Sequence, residues 1–442
     1  MSDKPRKFKG GIHPNDSKAL SAHKAIQEGP LLKSYKVIMH QNIGAPPELV
    51  VKKGDTVKKG ALLATATGFV SVPLHAPTSG TIKAIAKVPG PTGISVPCIE
   101  IVADGEDEWG SPFEPIADWK TTDPAVLKQR VWDAGVVGMG GAAFPTHVKL
   151  SPPEDKKIDR LILNGAECEP YLTADHRLML EQAEEVVLGA AICARILGLD
   201  TAVIGVEDNK PDAIIALKKV AGKYNIEVQA LAVNYPQGAE KQLIYSITGR
   251  EVPVGKLPME VGCVVQNVAS AVAVVDAVVK GLPSIERITT VTGKPVVNPG
   301  NWKLRIGTPI EEVLKLAGGI KEQPAKLLLG GPMMGIAQSS LGVTTMKNTS
   351  GILLIAKDEV SLYTEEPCIR CGRCVDCCPM EILPATISQA VENGRFDWAE
   401  KLNVMACIEC GSCSYSCPSH RPLNQHFKRA KIEIQAGLRK KG

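Results

Sequence analysis

Two cysteine runs near the C-terminus, Cys368-x2-Cys371-x2-Cys374-x3-Cys378-Pro379 and Cys407-x2-Cys410-x2-Cys413-x3-Cys417-Pro418, constrain this chain more than any other feature. Three thiolates at intervals of three wrap one corner of a [4Fe-4S] cube, and where two such runs share a chain the fourth cysteine of each ligates the other cube. The spacing therefore predicts crossed ligand sets. Cys368, Cys371, Cys374 and Cys417 surround one cube, and Cys407, Cys410, Cys413 and Cys378 the other. Each cube then pins both halves of the repeat together. Structural zinc sites use Cys-x2-4-Cys pairs often completed by His, and neither run is built that way. Cys377 stands beside Cys378, and the x3 spacing with the following proline selects Cys378. A chain that holds two such cubes is an electron carrier.

At 442 residues the chain has room for several domains, about three at ~150 residues each. Its 51 Lys plus Arg nearly balance 47 Asp plus Glu, so no global field points to nucleic acid. Eight of the 13 cysteines are taken by the two clusters, leaving Cys98, Cys168, Cys193, Cys263 and Cys377, an odd number without paired spacing, which argues against a disulfide framework. Residues 1–7 lack the apolar segment of a signal peptide, and with the clusters this predicts a reducing cytoplasm. The most apolar stretch, residues 264–279, is interrupted by Gln266, Asn267, Ser270 and Asp276. It falls short of the ~20 consecutive apolar residues that span a bilayer. The basic tail from His426 to Lys441 reads either as a surface for anionic lipid or an acidic partner, or as a solvated helix end.

After a polar arm (1–30), residues 49–85 read as short strands with turns at Lys53-Gly54-Asp55 and Lys59-Gly60 and a His75-Ala76-Pro77-Thr78-Ser79-Gly80-Thr81 segment. The two similar halves resemble the barrel-sandwich hybrid of biotinyl and lipoyl domains. The carrier version needs a lysine at the tip between the halves, and residues 61–74 contain none, so the module (31–117) reads as a scaffold. From about Asp118 strands alternate with helices. Residues 158–163, 201–206 and 227–233 are β-branched-rich, with helices predicted over 177–197 and 212–221, which argues for a parallel, doubly wound sheet (118–282). Residues 288–338 form an α+β stretch with a helix over 309–317, similar to the soluble-ligand-binding (SLBB) β-grasp module of respiratory flavoprotein subunits (283–345). The ferredoxin region (361–430) follows, its runs separated by amphipathic helix over 384–402.

Ligands of doubly wound sheets bind beyond the carboxyl ends of the strands. Three polar tips stand there: Asn164-Gly165-Ala166-Glu167-Cys168-Glu169-Pro170, Glu207-Asp208-Asn209-Lys210, and Asn234-Tyr235-Pro236-Gln237-Gly238-Ala239-Glu240. A fourth segment, Gly138-Met139-Gly140-Gly141-Ala142-Ala143-Phe144-Pro145-Thr146 followed by Lys149, follows a helix predicted over 124–134. Its small residues let successive backbone N–H groups cradle a phosphate.

These segments resemble the FMN and NADH site of the flavoprotein subunit of respiratory NADH:quinone oxidoreductase. With the hybrid module before them and the two-cluster region behind, residues 8–430 are similar to the C subunits of the Rnf (Rsx) ion-translocating NADH:ferredoxin oxidoreductase complexes. The resemblance implies that Gly138, Gly140, Gly141, Ala142 and Phe144 pass over non-covalently bound FMN, with Lys149 and Asn164 nearby. It implies that Glu167 and Glu169 border flavin and nicotinamide, that Tyr235, Gly238 and Glu240 belong to the same site, and that Gln266 and Asn267 close the pocket. An arginine of the respiratory loop is Met139 here, a glycine is Ala143 and an acidic residue is Ala166, so the flavin is expected to have fewer polar contacts.

NADH delivers a hydride and a cube accepts one electron, a mismatch that a flavin resolves. No general acid, nucleophile or metal-bound water is assigned; Glu167 and Glu169 are expected to orient NADH. The resemblance further implies a peripheral place on the cytoplasmic face of the bacterial membrane. The implied partners are the other complex subunits, among them the iron-sulfur subunit that meets ferredoxin, and ions move through membrane subunits. Two other readings stay open: a soluble flavin and iron-sulfur cobalamin reductase, since the cobalamin reductase of bacterial microcompartments combines the same modules, and a flavin-free electron relay or assembly subunit.

Overall fold

A computed structural model describes residues 7–111, 113–360 and 363–439. Residues 1–6 of the expected leaderless N-terminus, 361 and 362 of the expected ferredoxin region, and Lys440 and Lys441 of the basic tail lie outside the described residues. Among the described residues the strands form four sheets.

Two of these sheets build the hybrid. Ser34–Ile38, Ser95–Ala103, Gly80–Pro89 and Thr56–Val57 form one, and Glu48–Leu49, Leu62–Thr65 and Leu74–His75 the other. Alternate side chains turn inward, so Tyr35, Val37, Leu63, Ile82, Ile99 and Ile101 share one closed apolar core. The hairpin tip between the halves is not free. The Trp132 indole N–H donates to Ser71 O (2.9 Å), His147 Nε2 contacts Phe69 O (2.7 Å), and the Ile43 N–H donates to Ala143 O (3.0 Å). The position that carries a prosthetic lysine in carrier domains is here a buttress against the glycine loop.

The central domain holds a wholly parallel sheet in the order Ile226–Leu231, Ala202–Glu207, Arg160–Gly165, Cys263–Asn267. The chain runs outward from Arg160–Gly165 and returns to its other side, so the topological switch lies between Arg160–Gly165 and Cys263–Asn267. There Asn267 is in register with Asn164. The fourth strand was hidden in the apolar stretch 264–279, which breaks at Asn267. That side chain accepts the Ala269 N–H and caps the helix Val268–Val278. The helix predicted over 177–197 is two, Ala174–Glu181 and Ala183–Ile196, separated where Gln182 leaves helical dihedrals (φ −127°, ψ 41°).

Three expected boundaries change. The β-grasp sheet has six strands, ordered Ile26–Glu28, Gly300–Arg305, Glu286–Thr292, Gly351–Ile355, Lys326–Leu329, Ile336–Gln338. Its Gly351–Ile355 strand lies beyond residue 345 and is buried along its whole length, because it pairs on both sides. Its first strand comes from the N-terminal arm, Ile26 to Glu28 pairing parallel with Asn301 to Lys303. The arm is thus part of the fold, and Ile12 pairs with Tyr235 through two backbone hydrogen bonds of 2.9 Å. Past residue 430 the final helix, Leu423–Arg439, continues because Phe427, Ala430 and Ile434 face the cysteine-rich core.

In that last domain the helix expected over 384–402 divides at Gly394 into Pro384–Glu392 and Phe396–Lys401. The repeat extends to the backbone. Arg370, Gly372 and Glu381 have left-handed dihedrals, and so do Glu409, Gly411 and His420, each at the same place relative to its cysteine run.

Candidate functional site: a glycine loop at the switch point and two cysteine-lined cavities

Two cavities open in the C-terminal domain, and the cysteines divide between them in the crossed way. One is lined by Cys378, Cys407, Cys410 and Cys413, together with Ile382 and Phe427. The other is lined by Cys368, Cys371, Cys374 and Cys417, with Ile369 and Arg421. Cys377 does not line the first cavity; its carbonyl accepts the Gly11 N–H (2.9 Å). Among the described residues no three Cys, His, Asp or Glu side chains converge on a point where one ion would sit. In each cavity four thiols line one common space, the grouping that the crossed spacing predicts for a cube. The cavities differ in exposure: Cys378, Cys410 and Cys413 are buried, whereas Cys371 is exposed and Ile369 beside it is 67% exposed.

The second half of the site lies at the switch point. Gly138 N–H donates to Phe144 O (2.8 Å) and Ala143 N–H to Gly138 O (3.1 Å), closing the glycine segment into a tight loop whose tip, Gly140 to Ala142, is exposed. Gly141 has φ +118°, a region L side chains rarely adopt, and nothing lies within 4 Å of where its Cβ would be. Among the described residues none accepts a hydrogen bond from the Gly140, Gly141 or Ala142 N–H. Successive free N–H groups of this kind form an anion cradle. Across from it, Gln266 is buried with its Nε2 unpartnered. Lys149 Nζ rests on Glu240 Oε1 (2.7 Å) and Val265 O (3.1 Å). A free cradle, a nearby cation and an orphaned buried amide fit a phosphate-bearing ligand with hydrogen-bonding edges, as FMN is.

The strand tip is locked from within. Asn164 Nδ2 donates to Gly238 O (2.7 Å) and its Oδ1 accepts the Ala166 N–H (3.1 Å). Gly238 packs so closely that a Cβ would lie 2.4 Å from Ala166 O. Glu167 is buried, and its carboxylate accepts the Asp175 and His176 N–H groups (2.8 and 3.2 Å), capping the helix Ala174–Glu181. Glu169 accepts the Met333 and Met334 N–H groups (3.1 and 2.8 Å). Both carboxylates expected to orient a nicotinamide are thus engaged by backbone donors of the chain itself. Tyr235 joins the two halves: its hydroxyl donates to Cys410 O (2.8 Å), on the buried cavity.

Three side chains here escaped the sequence reading. Lys18, buried, donates from Nζ to the carbonyls of Glu167 (2.8 Å), Glu169 (2.9 Å) and Leu172. Asp175 Oδ2 accepts from Asn267 Nδ2 (2.7 Å). Arg287 reaches the glycine loop from the β-grasp sheet. Only for Asp175 did the sequence carry a local signal, its place at a helix start near a strand tip.

Burial pushes Glu169 up to about 7 against the Met333 and Met334 N–H groups, which pull it down. Burial, and then the charge of Glu167, push Asp175 up to about 7. The folded chain therefore holds a proton on Glu169 that the unfolded chain releases near its ordinary 4.5, and stability falls as pH rises from 4.5 to about 7. Glu169→Gln is expected to flatten part of that fall. Denaturation midpoints of the iron- and sulfide-loaded protein between about pH 5 and pH 8 measure it, and an unchanged slope would remove Glu169 from the account.

Comparison with known proteins assigns this architecture. Residues 6–106 match the RnfC barrel sandwich hybrid domain, 131–276 the Nuo51 FMN-binding domain, 288–337 the SLBB domain and 361–433 the 4Fe-4S dicluster domain. The C subunit of the proton-translocating ferredoxin:NAD(+) oxidoreductase complex of Clostridium ljungdahlii is 47% identical over 98% of this chain and 94% of its own. The chain belongs to the RnfC family, the C subunits of ion-translocating ferredoxin:NAD(+) oxidoreductases. A second family member, from the Na(+)-translocating complex of Acetobacterium woodii, is 45% identical over all of both chains. A third, from Rhodobacter capsulatus, is 43% identical over 97% of this chain and 83% of its own. An NAD+-reducing [NiFe]-hydrogenase in the H2-reduced state shares the fold, with a TM-score of 0.51 at 21% identity. That likeness covers 72% of this chain and 64% of the hydrogenase chain. This RnfC chain thus combines an FMN-binding domain with a dicluster domain.

Proposed function

We propose that this chain is the peripheral, NADH-reacting subunit of a membrane-bound ion-translocating complex, on the cytoplasmic face of the bacterial membrane, moving electrons between NADH and ferredoxin. Its partners are the other subunits, including the iron-sulfur subunit that meets ferredoxin. No helix of the described residues is long and apolar enough to cross a membrane, so ion movement belongs to the assembled complex. The observation that carries this reading is the Tyr235 hydroxyl on Cys410 O, which ties a polar segment beyond the parallel sheet to the wall of the buried cysteine cavity.

FMN accepts electrons as a hydride and [4Fe-4S] clusters exchange them singly, which is the chemistry these groups supply when bound. The chain's own residues supply placement. The Gly140 to Ala142 N–H groups and Lys149 would hold the phosphate of a bound flavin, and Gln266 and Asn267 would meet its polar edge. Glu169 stands between crevice and buried cavity, bound to the Met333 and Met334 amides, and Tyr235 excludes water from that junction with 2% of its surface exposed. The set Cys378, Cys407, Cys410 and Cys413 would take electrons from the flavin side; the set Cys368, Cys371, Cys374 and Cys417, whose Cys371 is exposed, would pass them to a partner.

Anaerobic reconstitution with FMN, iron and sulfide, followed by NADH titration with visible and EPR detection, tests the reading. Bleached flavin absorbance together with signals of reduced [4Fe-4S] clusters is the expected result. Clusters that form without flavin binding or any NADH response would reduce the chain to a relay.

A further inference from the structure

Arg287 is 4% exposed on the strand Glu286–Thr292 and makes an unusual set of contacts. Its Nε donates to Ile288 O (3.0 Å), and Nη1 donates to Lys347 O (3.0 Å) and to Met139 O (3.2 Å), in the middle of the glycine loop. Its Nη2 is buried and unpartnered, and among the described residues it forms no ion pair. The other side of the Met139 residue is held as well, since its N–H donates to Ser270 Oγ (2.8 Å), whose hydroxyl donates to Val137 O (3.1 Å). Met139 is thus fixed at both ends, and beyond it the Gly140 to Ala142 tip projects with free N–H groups. Gly140 leans on Asn267, 3.4 Å from its Cβ position, and Asn267 is bound to Asp175.

A neutral donor would tie the two segments together equally well. A buried guanidinium without a direct carboxylate partner is costly to desolvate, and that cost is offset when an anion occupies the neighbouring space. The facing carboxylates, Asp175 and Glu167, act on Arg287 only through space, and burial lowers it to about 10, leaving it charged at neutral pH.

We propose that Arg287 is a positioning residue of the flavin crevice: it clamps Met139 O so that the loop tip presents its N–H groups, and its charge favours the reduced, more negative flavin. This rests on the FMN reading above.

The test compares wild type, Arg287→Met and Arg287→Lys, each with both clusters loaded and a native circular dichroism spectrum. FMN dissociation constants for oxidised and reduced flavin are measured by anaerobic fluorescence titration, and the potential of bound FMN by spectroelectrochemistry. Arg287→Met is expected to weaken oxidised FMN about tenfold and reduced FMN about a hundredfold; that tenfold difference equals a fall of about 30 mV for a two-electron couple. Arg287→Lys keeps the charge and loses the fork, so both forms weaken by one factor and the potential holds. An Arg287→Met potential equal to wild type overturns the electrostatic role. Wild-type affinities in either variant overturn the clamp. Should Arg287→Met not fold, the neutral, polar Arg287→Gln takes its place in both measurements, with the same expected and overturning results. Wild-type protein that binds no FMN overturns the crevice assignment itself.

Discussion

Cys417→Ala is expected to abolish the cluster of the first cysteine run and leave that of the second. The reason is topological: Cys417 lies on the cavity with Cys368, Cys371 and Cys374, not on the one beside Cys407, Cys410 and Cys413. Iron should fall from about eight atoms per chain to about four. The informative measurement is a comparison of EPR spectra. Cys417→Ala and Cys368→Ala should leave the same residual spectrum, and Cys378→Ala and Cys407→Ala should leave the complementary one. Pairing of Cys417→Ala with Cys407→Ala instead would mean that each run holds its own cluster. Cys378→Ala should also cost more stability, since its cavity is backed by Phe427 and Ile382 and adjoins Tyr235.

The second large effect is expected from Lys18→Met. This substitution keeps the length of the side chain and removes the donors to three carbonyls, those of Glu167, Glu169 and Leu172. Buried polar groups left without a partner cost about 1–3 kcal/mol each. Relief of the desolvation that lowers the Lys18 pKa returns part of this, so a net loss of about 3 kcal/mol is expected. The damage falls on the turn that presents Glu167 and Glu169, so FMN affinity should drop along with stability. Denaturant unfolding and flavin fluorescence on the same samples measure the two together. A variant with wild-type stability would show that the arm merely rests on the turn.

The Lys18 and Arg287 contacts mark where sequence reasoning stops. Spacing alone predicted the grouping in which the eight cysteines line two cavities, because cluster ligation is a local rule with a fixed interval. Alternation and polar tips found three of the four parallel strands. The glycine segment advertised its own loop, since small residues without apolar periodicity have little else to form. By contrast, Lys18 acts on residues 149 to 154 positions away and Arg287 on a residue 148 away. No pattern in their own neighbourhoods, a polar arm and a β-strand, marks them as parts of a site.

What the sequence by itself determined is therefore the pattern: two cysteine runs whose spacing predicts crossed sets, a glycine-rich loop and a parallel sheet with polar ends. Only the tertiary structure decided how these meet. It drew the N-terminal arm into the β-grasp sheet and against Tyr235, placed the fourth strand so that Asn267 faces Asn164, and set the Tyr235 hydroxyl on Cys410 O beside the buried cavity. Ligand spacing and strand periodicity are properties of neighbouring residues. The packing of domains, and the buried cations that hold them in register, depends on desolvated contacts between distant segments, which exist only once the chain has folded.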